Sequence, residues 1–257
     1  MRGIQPNWPA PTWVRAISTT RLDGVSQGCY NSLNLGYHVK DSPSHVALNR
    51  LRLAQQFNFM YEPMWLNQKH TTKVIEIKTP PQGDPLVDGE KGYLAEQADG
   101  AFTQLTGVPC AVLTADCLPV LLCDTQGTLV AALHCGWRGL AGGIIENTLN
   151  TIRLKANGEI LAWLGPAIGP NCFEVGDDVR DVFLKDSFKS ANAFKPTSKP
   201  GKWMGDLYQL ASLRLRDMGV KDIYGGDYCT YTDDKHFFSY RRDKETGRMA
   251  TIIWLAL

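Results

Sequence analysis

An α/β fold, with mixed, hairpin-containing sheets flanked by helices, is the architecture this sequence predicts, and three observations carry it. Strand-like and helix-like segments interleave, and several strands are joined by turns too short for a crossover helix. Of the 257 residues, 44% are hydrophobic, enough for a substantial core. No Gly/Ser/Pro run, like-charge run or repeat divides the chain, so residues 1–257 read as a single domain.

The elements follow in order. Residues 13–17 alternate as a strand, and Gly-rich turns succeed them. Ser42-Pro43 opens a helix, with Ser as cap and Pro at the first helical position. Val46, Leu53 and Phe57, with Ala47, Leu51 and Ala54 beside them, form its buried face. Residues 64–66 and 74–77 read as short strands flanking residues 68–72, which puts His70 on a strand or on the turn between two. Residues 78–92 and 194–201 are Pro/Gly-rich and read as surface loops.

The central segment is a hairpin. Apolar strands lie on both sides of Asp124-Thr125-Gln126-Gly127, with Gly where a four-residue loop needs a left-handed residue. That loop pairs Cys123 with Thr128 and sets Cys117 opposite His134, with Cβ atoms about 4.5–5.5 Å apart. A slip of one residue would send the two to opposite faces. Pro119 cannot donate to the ladder and marks an edge or a bulge. Residues 136–139 then lead into a helix bearing Ile145, Leu149 and Ile152 and closed by Asn157-Gly158. A strand at 160–164, helices near 178–184 and 206–218, and strands at 222–224, 237–240 and 251–257 complete the chain.

With 27 basic and 26 acidic residues, the balance points to neither nucleic acid nor an anionic membrane as partner. Residues 252–257 are too few to span a bilayer, and the start, MRGIQPNWPAP, lacks a signal-type apolar stretch. Seven irregularly placed cysteines suit reduced thiols, so a cytoplasmic protein is expected.

His70, Cys117 and His134 are the candidates for a three-ligand metal site with an open fourth position. The same Cys117 and His134 suit a nucleophile and its base. Asp116 is a weaker catalytic candidate that also reads as a capping carboxylate. Arg138 stands where a strand runs into a helix, a place that favours an anion such as phosphate, unless it pairs with a carboxylate. Arg241, Arg242 and Arg248 form a basic group that suits a substrate anion or a solvated hairpin. Trp137, Trp163 and Trp203 suit base stacking or simple core filling. Cysteines 29, 110, 123, 135, 172 and 229 read as buried thiols.

Seven strings carry a resemblance: STTRLDGVSQGCYNSLNLG, NQKHTTKV, ADGAF, LTADCLPVLLCD, HCGWRGLAGGI, WLGPAIGPNCFEVG and SYRRDKETGRMA. In that order, and over nearly the whole chain, they resemble the laccase-domain family, first labelled multicopper polyphenol oxidases and now regarded as zinc-dependent purine nucleoside phosphorylases. The resemblance implies an α/β/β/α-type domain, zinc on His70, Cys117 and His134, and phosphorolysis of adenosine, inosine and methylthioadenosine. It also implies adenosine deaminase activity. Some bacterial relatives are linked to peptidoglycan-precursor editing, removing a misincorporated serine from a UDP-muramyl intermediate.

The chain departs from the family's Gln-Val-His-Gly-Thr-Arg-Val, reading Gln68-Lys69-His70-Thr71-Thr72-Lys73-Val74. Thr71 for Gly alters the loop's backbone and Lys73 for Arg weakens any bidentate anion contact there, so substrate preference is the property affected. Copper is disfavoured, because five histidines are too few for a blue-copper centre plus a trinuclear cluster. Three readings follow: a zinc nucleoside enzyme, a metal-free Cys–His hydrolase, and an interaction module whose structural metal has its fourth position closed, for example by His38.

Overall fold

The strands on either side of the central turn are buried along their whole length, which requires cover on both faces. The computed structural model describes residues 3–81 and 96–256. In chain order the elements are β1 (Gly3–Ile4), β2 (Val14–Thr19), α1 (Pro43–Phe57), β3 (Val74–Glu76), β4 (Gly100–Thr103), β5 (Cys110–Thr114) and β6 (Leu118–Asp124). There follow β7 (Val130–Cys135), α2 (Trp137–Gly142), α3 (Ile144–Ile152), β8 (Ile160–Leu164), β9 (Glu174–Gly176) and α4 (Asp177–Asp186). The chain ends with β10 (Phe194–Pro196), β11 (Lys202–Gly205), α5 (Leu207–Asp217), β12 (Asp222–Gly225), α6 (Tyr240–Asp243) and β13 (Met249–Leu255).

Among the described residues, a six-stranded mixed sheet has the order β12-β8-β6-β7-β4-β3, and a four-stranded antiparallel sheet has the order β1-β2-β13-β5. A small antiparallel sheet, β10-β11-β9, lies outside both. The two larger sheets bury Leu121, Cys123, Val130 and Ala132 of one against Cys110, Val112, Ile253 and Leu255 of the other. The alternate residues Leu118, Val120, Leu122, Ala131 and Leu133 face α3, α4 and α5. On the far side, Leu53 of α1 packs with Ile17, Leu113 and Ile252. The layers are therefore α/β/β/α. Each fully buried Leu or Ile contributes roughly 1.5–3 kcal/mol. Among the described residues no helix is long and apolar enough to cross a membrane.

Several expectations are corrected. The hairpin register pairs Cys123 with Val130 and Pro119 with His134, two residues away from the predicted pairing. Asp124 is the cause: its carboxylate accepts from the backbone N–H of Thr128 and Leu129 and from the Thr128 hydroxyl, so the loop runs on to Leu129. A shift of two preserves the face of every side chain, and Cys117 and His134 remain on the same side. Pro119 sits in a central strand, not at an edge. β8 pairs with β6 only from Val120 onward, and the Gly165 carbonyl accepts from the Tyr208 hydroxyl instead.

The helix after Arg138 breaks at Gly143, whose φ of 95° divides α2 from α3. Residues 237–240 form no strand, because Ser239 caps α6 by accepting from the Arg242 N–H. Residues 194–201 begin as β10, and residues 64–66 make only a bridge between Met64 and Cys110. Ser42 precedes α1, but its hydroxyl bonds Ser44 rather than the helix backbone. Of the loop expected at 78–92, residues 82–92 lie outside the described residues.

Candidate metal centre

Cys117 lies where the chain crosses from one large sheet to the other, between β5 and β6. The crossing bends at Asp116, a non-glycine residue at φ 94°. Such a conformation costs on the order of 1–3 kcal/mol and needs compensating contacts. Asp116 has them: its carboxylate accepts from the Thr230 hydroxyl at 2.7 Å and the Arg241 N–H at 2.6 Å, and its carbonyl accepts from the Ile168 N–H at 2.9 Å.

His70 also has a positive φ, 59°, and its loop is wrapped around one buried carboxylate, Asp99. The backbone N–H groups of Lys69, His70 and Thr71 donate to Asp99 at 3.2, 2.9 and 2.7 Å, and the Thr71 hydroxyl adds a fourth bond at 2.7 Å. Asp99 then reaches His134: Nδ1 lies 2.8 Å from Asp99 Oδ1, and the His134 N–H donates to the Asp99 carbonyl at 2.7 Å. One buried acid thus places both histidines. With Nδ1–H engaged, the His134 Nε2 lone pair is left for the cluster.

The His70 and His134 rings meet edge to face with centroids 4.8 Å apart, and Cys117 Sγ lies 3.7 Å from His70 Nε2. Among the described residues these three form the group able to hold a metal ion, with ligand atoms within 4.8 Å of one another. Tetrahedral zinc with ordinary Zn–S and Zn–N bonds separates sulfur from nitrogen by about 3.6 Å. Gly136 closes one side. A Cβ there would stand 2.7 Å from His70 Cδ2 and 3.2 Å from Cys117 Sγ, so a side chain would fill the space the donors need.

Without a metal the electrostatics favour a thiolate–imidazolium pair. Desolvation pushes the Cys117 thiol up, but the charge and hydrogen bond of His134, aided by His70, outweigh it and bring it down to about 6. Burial pushes His134 down, but the Cys117 thiolate and the Asp99 hydrogen bond raise it to about 9. Asp99 is held well below the usual carboxylate range; burial opposes this, and bonds from His134 and Thr71 overcome it.

The other predicted residues are distributed unevenly. Arg138 is exposed on the first turn of α2, its guanidinium 4.2 Å from the Trp137 ring centroid. Arg241 donates from Nη1 to the Glu174 carbonyl, while its own backbone holds Asp116. Arg242 is spent on the fold, bonding the carbonyls of Thr230, Tyr231 and Phe237 and the carboxylate of Asp243. Arg248 is partly buried near Cys117 and Asp116; desolvation lowers its guanidinium and those two anions partly restore it. His38 is pushed to about 4 by desolvation and then by Arg248, Arg50 and His134. It stands outside the three-ligand group.

Asp99 and Gly136 were not singled out among the site residues. Both occur in the quoted strings, in ADGAF and HCGWRGLAGGI, and the available signal was a lone acid heading a short apolar run.

Comparison with known proteins shows the family. The family described as multi-copper polyphenol oxidoreductase laccase matches residues 15–256. The chain belongs to this laccase family. The purine nucleoside phosphorylase YfiH of Shigella flexneri is 49% identical over 252 residues, covering 98% of each chain. A purine nucleoside phosphorylase of Pseudomonas aeruginosa is 46% identical over the same span. Among solved structures, the Neisseria meningitidis protein NMB0706 superposes with a TM-score of 0.88 at 44% identity, over 100% of both chains. In this laccase-family chain the donor set, two imidazoles and one thiolate, suits zinc and is also compatible with copper.

Proposed function

We propose that this protein is a zinc-dependent purine nucleoside phosphorylase that cleaves adenosine, inosine and methylthioadenosine with inorganic phosphate, and that it also deaminates adenosine. The observation that carries the reading is the Asp99-oriented set of His70, Cys117 and His134, on a chain closely similar to proteins named purine nucleoside phosphorylase.

In phosphorolysis a phosphate oxygen bonds to ribose C1′, the glycosidic C–N bond breaks, and the purine leaves with a proton as ribose 1-phosphate forms. His70, Cys117 and His134 would hold a zinc ion, which when bound would supply Lewis-acid charge for the phosphorolysis and for the deamination. The protein supplies the rest. Asp99 keeps His134 in one tautomer and the His70 loop in one conformation. Arg248, which feels the charges of Cys117 and Asp116 and donates from Nη1 to the Thr246 and Gly247 carbonyls, and Arg138, next after Trp137, are the positive groups for the phosphate. Arg241 and Asp116 hold each other and fix the bend that presents Cys117, a positioning role. Arg242 supports the 230–237 loop that contributes Thr230. Reduced thiols fit a cytoplasmic enzyme.

A second reading is favoured by one observation. Without metal, Cys117 and His134 are shifted toward a thiolate and an imidazolium backed by Asp99, which suits a hydrolase cleaving the amide that attaches a misincorporated serine to a UDP-muramyl precursor.

One experiment separates them. Zinc content is measured together with ribose 1-phosphate formed from inosine and phosphate, before and after a strong chelator. One bound zinc, turnover lost on chelation and restored by zinc support the phosphorylase. Metal-free protein that forms no ribose 1-phosphate but releases serine from a UDP-muramyl precursor bearing it, in a reaction abolished by a thiol alkylator, supports the hydrolase.

A further inference from the structure

A second pair of sulfurs, distinct from the candidate metal ligands, lies on the far side of Asp116. Gly169 anchors both of its members. Its N–H donates to Cys229 Sγ at 3.2 Å, and its carbonyl accepts the Cys172 N–H at 3.0 Å, closing the turn Gly169-Pro170-Asn171-Cys172. The Ala167 to Cys229 bridge holds the two segments side by side. Space is tight there: a Cβ on Gly169 would stand 3.1 Å from both Cβ and Sγ of Cys229. Through this shared glycine the turn sets Cys172 beside Cys229, near enough for the Cys229 charge to act on the Cys172 thiol. Both residues are partly exposed, whereas Cys110, Cys123 and Cys135 are sealed in the core.

We propose that Cys172 and Cys229 form an oxidisable dithiol that takes a small hydroperoxide as its oxidant. Cys229 is the attacking thiolate. Desolvation works against its ionisation, but hydrogen bonds from Thr232, Gly169 and Tyr231 prevail and lower it, while desolvation and the neighbouring Cys229 charge raise Cys172. The roles of attacker and resolver are thus divided as such chemistry requires. Cys229 Sγ attacks one peroxide oxygen; the S–O bond forms, the O–O bond breaks, sulfur loses two electrons and hydroxide leaves. Cys172 then gives up its proton and attacks Cys229 Sγ, forming S–S as the S–O bond breaks and a second hydroxide leaves. Two thiols and one peroxide become one disulfide and two waters. The pair adjoins the candidate metal centre, since Thr230, next after Cys229, donates to Asp116, next before Cys117.

The test uses the zinc-loaded full chain treated with graded hydrogen peroxide, digested without reduction and mapped by mass spectrometry. The exposed thiol Cys29 is the internal comparator. The expected product is a Cys172–Cys229 disulfide that forms at least several-fold faster than Cys29 is oxidised and is fully reversed by dithiothreitol. In Cys172→Ser the expected product is a dimedone-trapped sulfenic acid on Cys229, and in Cys229→Ser Cys172 stays reduced. The proposal is overturned if both thiols remain reduced while Cys29 is oxidised, or if the disulfide appears no faster than Cys29 oxidation. Sulfenic acid accumulating on Cys172 in Cys229→Ser would reverse the two roles and overturn the assignment of the attacking thiolate.

Discussion

Asp99 and His134 are joined twice, carboxylate to Nδ1 at 2.8 Å and carbonyl to backbone N–H at 2.7 Å, so the ring and the strand that carries it are oriented by the same residue. The same carboxylate binds three consecutive N–H groups of the His70 loop. Two candidate metal ligands far apart in sequence are therefore positioned by one residue.

Replacing Asp99 with Asn tests that unit. Asn keeps the shape but can present an N–H where His134 or the loop donates. Zinc affinity should fall about 10- to 100-fold, the usual cost of losing such a partner. Competition with a chromophoric chelator measures it. A dissociation constant within twofold of the parent would remove Asp99 from the centre.

Gly136→Ala is a sharper probe of space than of chemistry. The added methyl collides with His70 Cδ2 at 2.7 Å, and neither the Asp99-bound loop nor Cys117 is free to retreat. Bound zinc should drop well below stoichiometric while the thermal transition of the metal-free protein changes by only a few degrees. Full zinc occupancy in this variant would mean that the cluster is looser than its geometry shows.

The metal-free protein should reveal the Cys117 and His134 pair through reactivity rather than stability. Alone, a Cys117 lowered to about 6 makes stability increase as pH rises through the interval up to its unfolded value, and that contribution is lost as pH falls through about 6. Alone, a His134 raised to about 9 contributes stability that is complete below its unfolded value of about 6.5 and lost as pH rises through about 9. The slopes are opposite over nearly the same window and cancel, because folding moves a proton from sulfur to imidazole without changing the number bound. Alkylation of Cys117 by iodoacetamide should thus rise through about pH 6 and level off by neutrality, with no matching change in unfolding free energy from this pair. A rate that climbs only above about pH 8, as for an ordinary thiol, would contradict it.

Much of this was legible in the chain, and what escaped has physical causes. Continuous apolar runs at residues 118–123 and 130–135 announce strands covered on both faces, and the structure covers them with a second sheet and a helical layer. The hairpin face was legible, but not its register, because Asp124 extends the loop through side-chain bonds that no turn template contains. The Gly143 break was hidden in a Gly-Gly pair within a helical pattern. Asp99 was the larger omission. It lies 29 residues from His70 and 35 from His134, and only the pairing of β4 with β7 brings the three together. Arg242 shows the reverse: a basic cluster looked like one surface, and folding turned one of its members inward to bind carbonyls.

That division among the arginines yields the last prediction. Inosine cleavage should require inorganic phosphate and yield ribose 1-phosphate. Arg138→Ala and Arg248→Ala should each raise the phosphate KM more than the inosine KM, by about 10- to 100-fold, because a charge-assisted contact of about 1.5–3 kcal/mol is lost on the anion alone. Lys at either position should restore only part, since an ammonium carries the charge without the planar fork. Arg242→Ala should behave differently, lowering the melting temperature while leaving the ratio of the two KM values unchanged, because its guanidinium already bonds Thr230, Tyr231 and Phe237. Initial rates at varied phosphate decide the matter. Free ribose released equally fast without phosphate means a hydrolase, and an unchanged phosphate KM in both the Arg138 and Arg248 variants removes those residues from the anion site and leaves Arg241 as the remaining cation of the group.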